Sequence, residues 1–387
     1  MRRITTIVAL WLAVITFSVL AQAEITIGVD VSATGPAASL GIENENAILL
    51  GPSVIAGQKV RYVILDDGSD ATTAVQNVKR LLGEDKIDVL LGPSITPTAL
   101  AIIDLVTDAK TPTVTFGSAH ELVYPVDAKR KWMFKTIAND EVYITVMMDH
   151  MLRHGVKTVS VIATNDPYGE SWAQGAKRIA AEKGLKILDV ERFERTDAST
   201  MPQALRVMKG NPDAVLIVAA GTPSVTPHLD LIKLGYKGKI YQSGGAANSE
   251  FLRVGGEALD SAYVVQSPFI VAPQLPDGYP IKEPALQFMK LYEAKYGHPA
   301  SAFAAFAWDS LRLVETAIPV ALKKANPGTV EFREALRSAL EHLSDVVGVS
   351  AIYTLSPTDH TGIDERSMSV IRIVNGGWKL DQLAAAK

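Results

Sequence analysis

His150 and His154 stand four residues apart, a spacing that puts two imidazoles on one face of a helix and can hold zinc. No glutamate follows His150 and no third ligand is evident, so the pair reads as the exposed end of a helix that stops before Gly155. Ser171 lies in Gly169-Glu170-Ser171-Trp172-Ala173, one glycine short of the turn that presents a hydrolase nucleophile. Asp66-Asp67-Gly68-Ser69-Asp70 is acidic enough for calcium but lacks the later glutamate of an EF-hand, and reads as turn and cap residues. No Gly-x-Gly-x-x-Gly follows a strand and there is no Walker loop, so a nucleotide cofactor is not expected. Zero cysteines remove thiol nucleophiles, disulfides and thiolate metal sites. With no convergent acid–base set, the chain is expected to be a binding protein, with no cofactor and no metal, rather than an enzyme.

The elements around these residues alternate. Ile25 to Asp30, Val60 to Leu65, Ile87 to Leu91 and Thr113 to Phe116 read as strands; Asn44 to Leu50, Ala71 to Leu82 and Thr98 to Thr107 read as helices between them. The pattern then restarts. Strands are expected at Val159 to Ala163, Leu185 to Val190, Asp213 to Ala219 and Ile240 to Gln242, with helices at Gly169 to Lys183, Met201 to Lys209 and Pro227 to Leu234. The third and fourth strands of the two runs are offset by about 125 residues, which marks two α/β lobes of one plan in tandem. Each is expected to be Rossmann-like, a parallel sheet flanked by helices. Such sheets bind ligands beyond the carboxyl ends of their strands, so two facing lobes make one cleft. Helices at Pro284 to Tyr296, Phe303 to Lys324 and Val330 to His342, and a β-like stretch at Met368 to Val374, must return to one lobe or the other. Several crossings suit a hinge. The expected division is 24–139 with 269–366 in lobe 1, and 140–268 with 367–387 in lobe 2.

Arg2 and Arg3, the apolar run Ile4 to Leu20 and Ala21-Gln22-Ala23 have the layout of a cleaved export signal, residues 1–23. Its removal takes the formal net charge from −4 to −6, which suits a soluble monomer and argues against nucleic acid or acidic lipid as partners. The 48% hydrophobic content is that of a globular chain, and the 364 residues from Glu24 onward suffice for two domains without disulfides.

Several pieces together resemble a known family. They are Ser32-x-x-Gly35-Pro36 with Gly41, Leu65-Asp66-Asp67, Leu91-Gly92-Pro93-Ser94, Asn165-Asp166-Pro167-Tyr168-Gly169, Lys233-Leu234-Gly235, and Tyr296-Gly297-His298-Pro299 leading to Ala307-Trp308-Asp309. In this order they resemble the branched-chain amino-acid-binding proteins of ABC importers, over essentially the whole chain after the export signal. The resemblance implies the type I periplasmic binding protein fold, a periplasmic location, a small carboxylate ligand and importer permease subunits as partners. A ligand-sensing receptor partner of the same fold is the competing role.

The resemblance also implies site residues. The loop Ser94-Ile95-Thr96 matches the one that holds a ligand carboxylate, and its position at a helix start supplies unpaired N–H groups and the positive dipole end. The alternative is that Ser94 or Thr96 merely caps that helix. Gly117-Ser118-Ala119-His120 matches a second anchor, with Ala119 where the family often has threonine. Tyr168 matches an aromatic that closes over the ligand; Thr222 falls on another contact position, and Phe303 is a candidate stacking wall with Tyr168. At Ser243-Gly244-Gly245-Ala246 the chain departs from the family, which places an acid near here to pair with the ligand's ammonium. An unpaired buried ammonium costs several kcal/mol, so Gly244 points to a carboxylate without an amine, aromatic or keto, with the glycines leaving space for a ring. A branched-chain or other amino acid remains the alternative, with Asp166 or Glu250 as hidden partner.

Overall fold

The computed structural model describes residues 24–384; the export signal expected at residues 1–23 lies outside the described residues. The first sheet is built from β1 (Ile25–Val31), β2 (Val54–Ile55), β3 (Gln58–Asp66), β4 (Val89–Leu91), β5 (Thr113–Thr115) and β6 (Met133–Lys135). Its spatial order is β2-β3-β1-β4-β5-β6, parallel except for β2. Helices α1 (Ala38–Ile48), α2 (Ala71–Gly83) and α3 (Thr96–Asp108) connect its strands. Every residue of β1 is buried, as a central parallel strand covered on both faces requires.

The second sheet follows after α4 (Asp140–Arg153). Strands β7 (Thr158–Thr164), β8 (Lys186–Phe193), β9 (Ala214–Val218), β10 (Lys239–Gln242) and β11 (Tyr263–Gln266) alternate with α5 (Pro167–Lys183), α6 (Met201–Lys209), α7 (Val225–Lys233) and α8 (Ser249–Gly255). Helices α9 (Lys282–Tyr296), α10 (Ala302–Leu322) and α11 (Val330–Leu340) and the small hairpin of β12 (Val346–Val347) and β13 (Ile352–Tyr353) return to the first sheet. Asn44 of α1 donates to the Phe303 carbonyl of α10 at 2.8 Å, and Lys135 N donates to His360 O at 3.1 Å. The chain then goes back to the second sheet, where β14 (Ser369–Val374) pairs antiparallel with β11 and β15 (Gly377–Leu383) with β14. The order is β15-β14-β11-β10-β9-β7-β8. The chain is therefore a two-lobe α/β protein with mostly parallel sheets flanked by helices.

Six helices start earlier than expected, most by one or two residues. α1 begins at Ala38, not Asn44, because Gly41 is not a breaker: a Cβ there would lie 2.0 Å from the Ser32 carbonyl oxygen, so glycine lets the helix press on the loop after β1. α3 begins at Thr96, not Thr98, with Ile95 in extended conformation before it. β6, α8, β11 and β15 are missing from the expected elements, and of α4 only the end before Gly155 was expected. α4 buries residues around most of its circumference, which erases the 3.6-residue signal. His150 within it is fully buried and not at an exposed helix end as expected; its ring packs 4.8 Å from Tyr263 and 5.7 Å from Tyr241.

Candidate functional site

The carboxyl ends of the strands in both sheets meet across a narrow cleft with room for about 30 Å³ of free volume. From the first sheet come Ser94, Ile95 and Thr96 after β4, and Phe116, Gly117 and Ser118 after β5. From the second come Tyr168 and Trp172 of α5, Arg195 after β8, Ala220 after β9, and Gly244 and Gly245 after β10. Leu40, Ile137, Tyr143 and Phe303 complete the lining. The lobes touch nearby: a Cβ on Gly221 would lie 3.0 Å from Ser39 Oγ and 3.2 Å from the Pro36 carbonyl oxygen.

The loop after β4 divides its labour. Ser94 Oγ donates to Asn44 Oδ1 at 2.8 Å and accepts from Ser32 N at 3.1 Å, so this hydroxyl is committed to the scaffold. No side chain caps α3, which removes the capping alternative for Ser94 and Thr96. Thr96 Oγ1 has a single long contact, from Ala119 N at 3.5 Å. In the loop after β5, buried Lys135 donates to the carbonyls of Ser118 at 2.6 Å and Ala119 at 3.2 Å. Burial pushes this lysine down and the nearby Asp140 carboxyl up. Asp140 opens α4 and accepts from Ser171 Oγ of α5 at 2.6 Å.

The opposite wall is aromatic. The Trp172 ring lies 5.9 Å from Tyr143 and 6.0 Å from Tyr168, the second pair edge-on. Tyr143 donates to Gln266 Oε1 at 3.0 Å, and burial raises the pKa of both tyrosines, so they stay neutral. Arg195 stands beside them. Its Nε donates to Asp166, and Asp166 in turn accepts from Gly169 N at 2.9 Å as the N-cap of α5. Both Arg195 Nη atoms are buried without a protein partner, as is Trp172 Nε1, while Ser118 Oγ stands beside the Asp140 carboxyl, which it favours in the ionised form. The site therefore offers donors in want of an acceptor, and no aspartate or glutamate lines it. A carboxylate satisfies such a set, with the guanidinium able to take two oxygens at once.

Of the residues singled out in sequence, the cavity brings together Ser94, Ile95, Thr96, Gly117, Ser118, Tyr168, Gly244 and Phe303. Ala119, His120 and Thr222 do not line it. Ala119 faces the Lys135 ammonium through its carbonyl, the His120 ring packs 4.4 Å from that of Tyr124, and exposed Thr222 begins a short turn beyond Gly221. The glycines do not leave room for a ring. A Cβ on Gly244 would sit 3.0 Å from Tyr143, and one on Gly245 would sit 2.3 Å from the Ala219 carbonyl oxygen, so both exist for close packing. Neither candidate ammonium partner is free: Asp166 is held by Arg195, and Glu250 by Arg253 at 2.7 Å. Sequence reasoning missed Arg195, Trp172 and Tyr143. Only the rule that adjacent carboxyl ends converge pointed to Arg195, which follows β8 as Asp166 follows β7.

The family model described as periplasmic binding protein matches residues 24–377. An extracellular ligand-binding receptor from Rhodopseudomonas palustris HaA2 is 40% identical, with a TM-score of 0.90, covering 93% of this chain and 100% of that one. The Leu/Ile/Val-binding protein BraC3 of Rhizobium johnstonii is 22% identical over 395 residues, 99% of each chain. A solute-binding protein of an ABC transporter from R. palustris, solved with benzoate, is 19% identical with a TM-score of 0.81, over 94% of this chain and 96% of that one.

Proposed function

Because the chain belongs to the periplasmic binding protein family, a family of binding proteins and not of enzymes, we propose that it captures an aromatic carboxylate between its lobes and delivers it to an ABC importer. One observation carries this reading. The cavity combines five aromatic residues (Phe116, Tyr143, Tyr168, Trp172 and Phe303) and an arginine with two unpaired Nη groups, and no acid. A ring carboxylate has apolar area for the first and two oxygens for the second. An α-amino acid brings an ammonium that meets no acid in the lining, the buried Asp140 behind it being engaged by Ser171 and by the nearby Lys135, and an unpaired ammonium costs several kcal/mol against the roughly −8 kcal/mol of a micromolar complex. The benzoate held by one structural neighbour belongs to the same ligand class.

The working cycle is closure by population shift. The ligand touches Ser118 and Thr96 on one lobe and Arg195 and Tyr168 on the other, so it favours the closed form, whose surface the permease reads. Turning a 1:99 balance into 99:1 takes about 5.5 kcal/mol of preference, within reach of two or three charge-assisted bonds plus ring burial. The hinge lies at the crossings near 139–140, 267–269 and 366–368, and the protein acts as a periplasmic monomer once residues 1–23 are removed. No helix among the described residues is long and apolar enough to cross a membrane.

The test is a thermal-shift screen of the protein against aromatic acids, keto acids, amino acids and amides, since a tight ligand raises the melting temperature by mass action. Stabilisation by aromatic acids and not by leucine, isoleucine or valine is the expected result. Stabilisation by those amino acids, the ligands named for the Rhizobium relative, overturns the carboxylate-only reading.

A further inference from the structure

We propose that His150, His154 and Asp381 form a binding site for one divalent transition metal of the zinc class, between α4 and β15. Each residue offers one ligand atom, and the three atoms lie within 4.8 Å of one another. The two histidines share a face of α4 with rings 4.0 Å apart, and β15 brings Asp381 to them, its Oδ2 2.9 Å from His150 Nε2. The i, i+4 pair was visible in sequence; the third ligand arrives from the far end of the chain.

The second shell orients both rings as a metal site requires. His154 Nδ1 lies 2.9 Å from the His150 carbonyl oxygen. That oxygen only accepts, so Nδ1 carries the proton and Nε2 keeps its lone pair. His150 Nδ1 lies 2.9 Å from the Tyr241 hydroxyl, which leaves Nε2 for Asp381 or for a metal between them. Burial favours neutral His150, the ligating form. Tetrahedral zinc needs ligand atoms about 3.3–3.5 Å apart. His150 is fixed in the core, while His154 and Asp381 are on exposed positions and can make the adjustment of about 1 Å. The cations facing the site are engaged: Arg153 Nε donates to Gln382 at 3.1 Å, and the Arg372 guanidinium lies 5.8 Å from the Tyr263 ring centroid. Water fills the fourth position, and on binding the proton that His150 Nε2 shares with Asp381 passes to Nδ1, which then donates to the Tyr241 hydroxyl oxygen.

Titration of the purified protein with cobalt as an optical probe, and with zinc by calorimetry, tests the site. The expected result is one site per chain and a four-coordinate cobalt spectrum. His154→Ala and Asp381→Asn, both at exposed positions and checked for fold by circular dichroism and metal-free melting, should each weaken zinc at least about tenfold. Absence of saturable binding, or binding equally tight in both variants, overturns the proposal and leaves His150–Asp381 as a tie between α4 and β15.

Discussion

Arg195 and Asp166 form a half-buried ion pair at the mouth of the second lobe, 29 residues apart in sequence and joined because β7 and β8 end side by side. Asp166 is also the N-cap of α5, so the helix start and the guanidinium are set by one carboxylate. The pair leaves Nη1 and Nη2 of Arg195 free and fixed in place before any ligand arrives. Such preorganisation lowers the cost of ordering a long side chain on binding.

Arg195 is therefore expected to dominate affinity. Arg195→Ala should weaken an aromatic carboxylate by about 1.5–3 kcal/mol, as for a charge-assisted hydrogen bond. Arg195→Lys should recover only part of it, because an ammonium is a point charge without the two-pronged geometry. Calorimetric titration measures both. Equal affinity in wild type and Arg195→Ala removes the guanidinium from the site.

Ser94 and Thr96 should separate stability from affinity although they are two residues apart. The Ser94 hydroxyl serves Asn44 and Ser32, so Ser94→Ala is expected to cost about 1–2 kcal/mol of folding stability, chiefly from the unpaired groups it leaves. Thr96→Ala breaks one long contact only and should leave melting nearly unchanged while weakening ligand by about 1–3 kcal/mol. Melting curves and titrations on the same two variants read the contrast; an unaltered affinity in Thr96→Ala removes its hydroxyl from recognition.

The residues that proved legible in sequence share a physical trait: their signal is local. The fully buried β1, the all-apolar β9 and the loops that follow strands β4 and β5 each declare themselves within ten residues. The mistaken residues are those whose role depends on something distant. His120 and Thr222 sit on the expected loops, yet the backbone turns each away from the cavity, and nothing in a local pattern encodes that turn. Gly244 was legible as a missing acid but not as a packing contact, since Tyr143, which fills its space, comes 101 residues earlier. Arg195 is an ordinary arginine in a polar stretch until Asp166 is placed beside it.

Gly245 provides a steric test of lobe 2. A methyl group there would stand 2.3 Å from the Ala219 carbonyl oxygen and 2.8 Å from the Ala220 Cα, atoms of backbone that cannot rotate away. Gly245→Ala should therefore destabilise by about 1–3 kcal/mol, the usual range for overpacking, and shift the loops after β9 and β10 apart. Chemical denaturation gives the first quantity and ligand affinity reports the second. A variant as stable as wild type would mean that the two loops are not held in this contact.

His228 predicts an acid-side loss of stability. Its Nε2 lies 2.8 Å from the Ala258 carbonyl oxygen, which can only accept, and its Nδ1 lies 3.3 Å from Gln242 Nε2. A second proton on Nδ1 would face that amide donor, and burial pushes the imidazole down to about 4. The unfolded chain takes up this proton near pH 6.5 and the folded one does not, so the stabilisation is complete above about 6.5 and is lost as pH falls toward 4. Buried Asp309, pushed up to about 6, acts in the opposite direction over part of the same range, so total stability does not isolate the histidine. The difference between wild type and His228→Asn does. Measured by urea denaturation, the wild-type excess should narrow between about pH 7 and about pH 4.5, by at most on the order of 3 kcal/mol. An excess independent of pH would mean that the ring is protonated in the fold, and that Gln242 presents its carbonyl oxygen, not its amide nitrogen, to Nδ1.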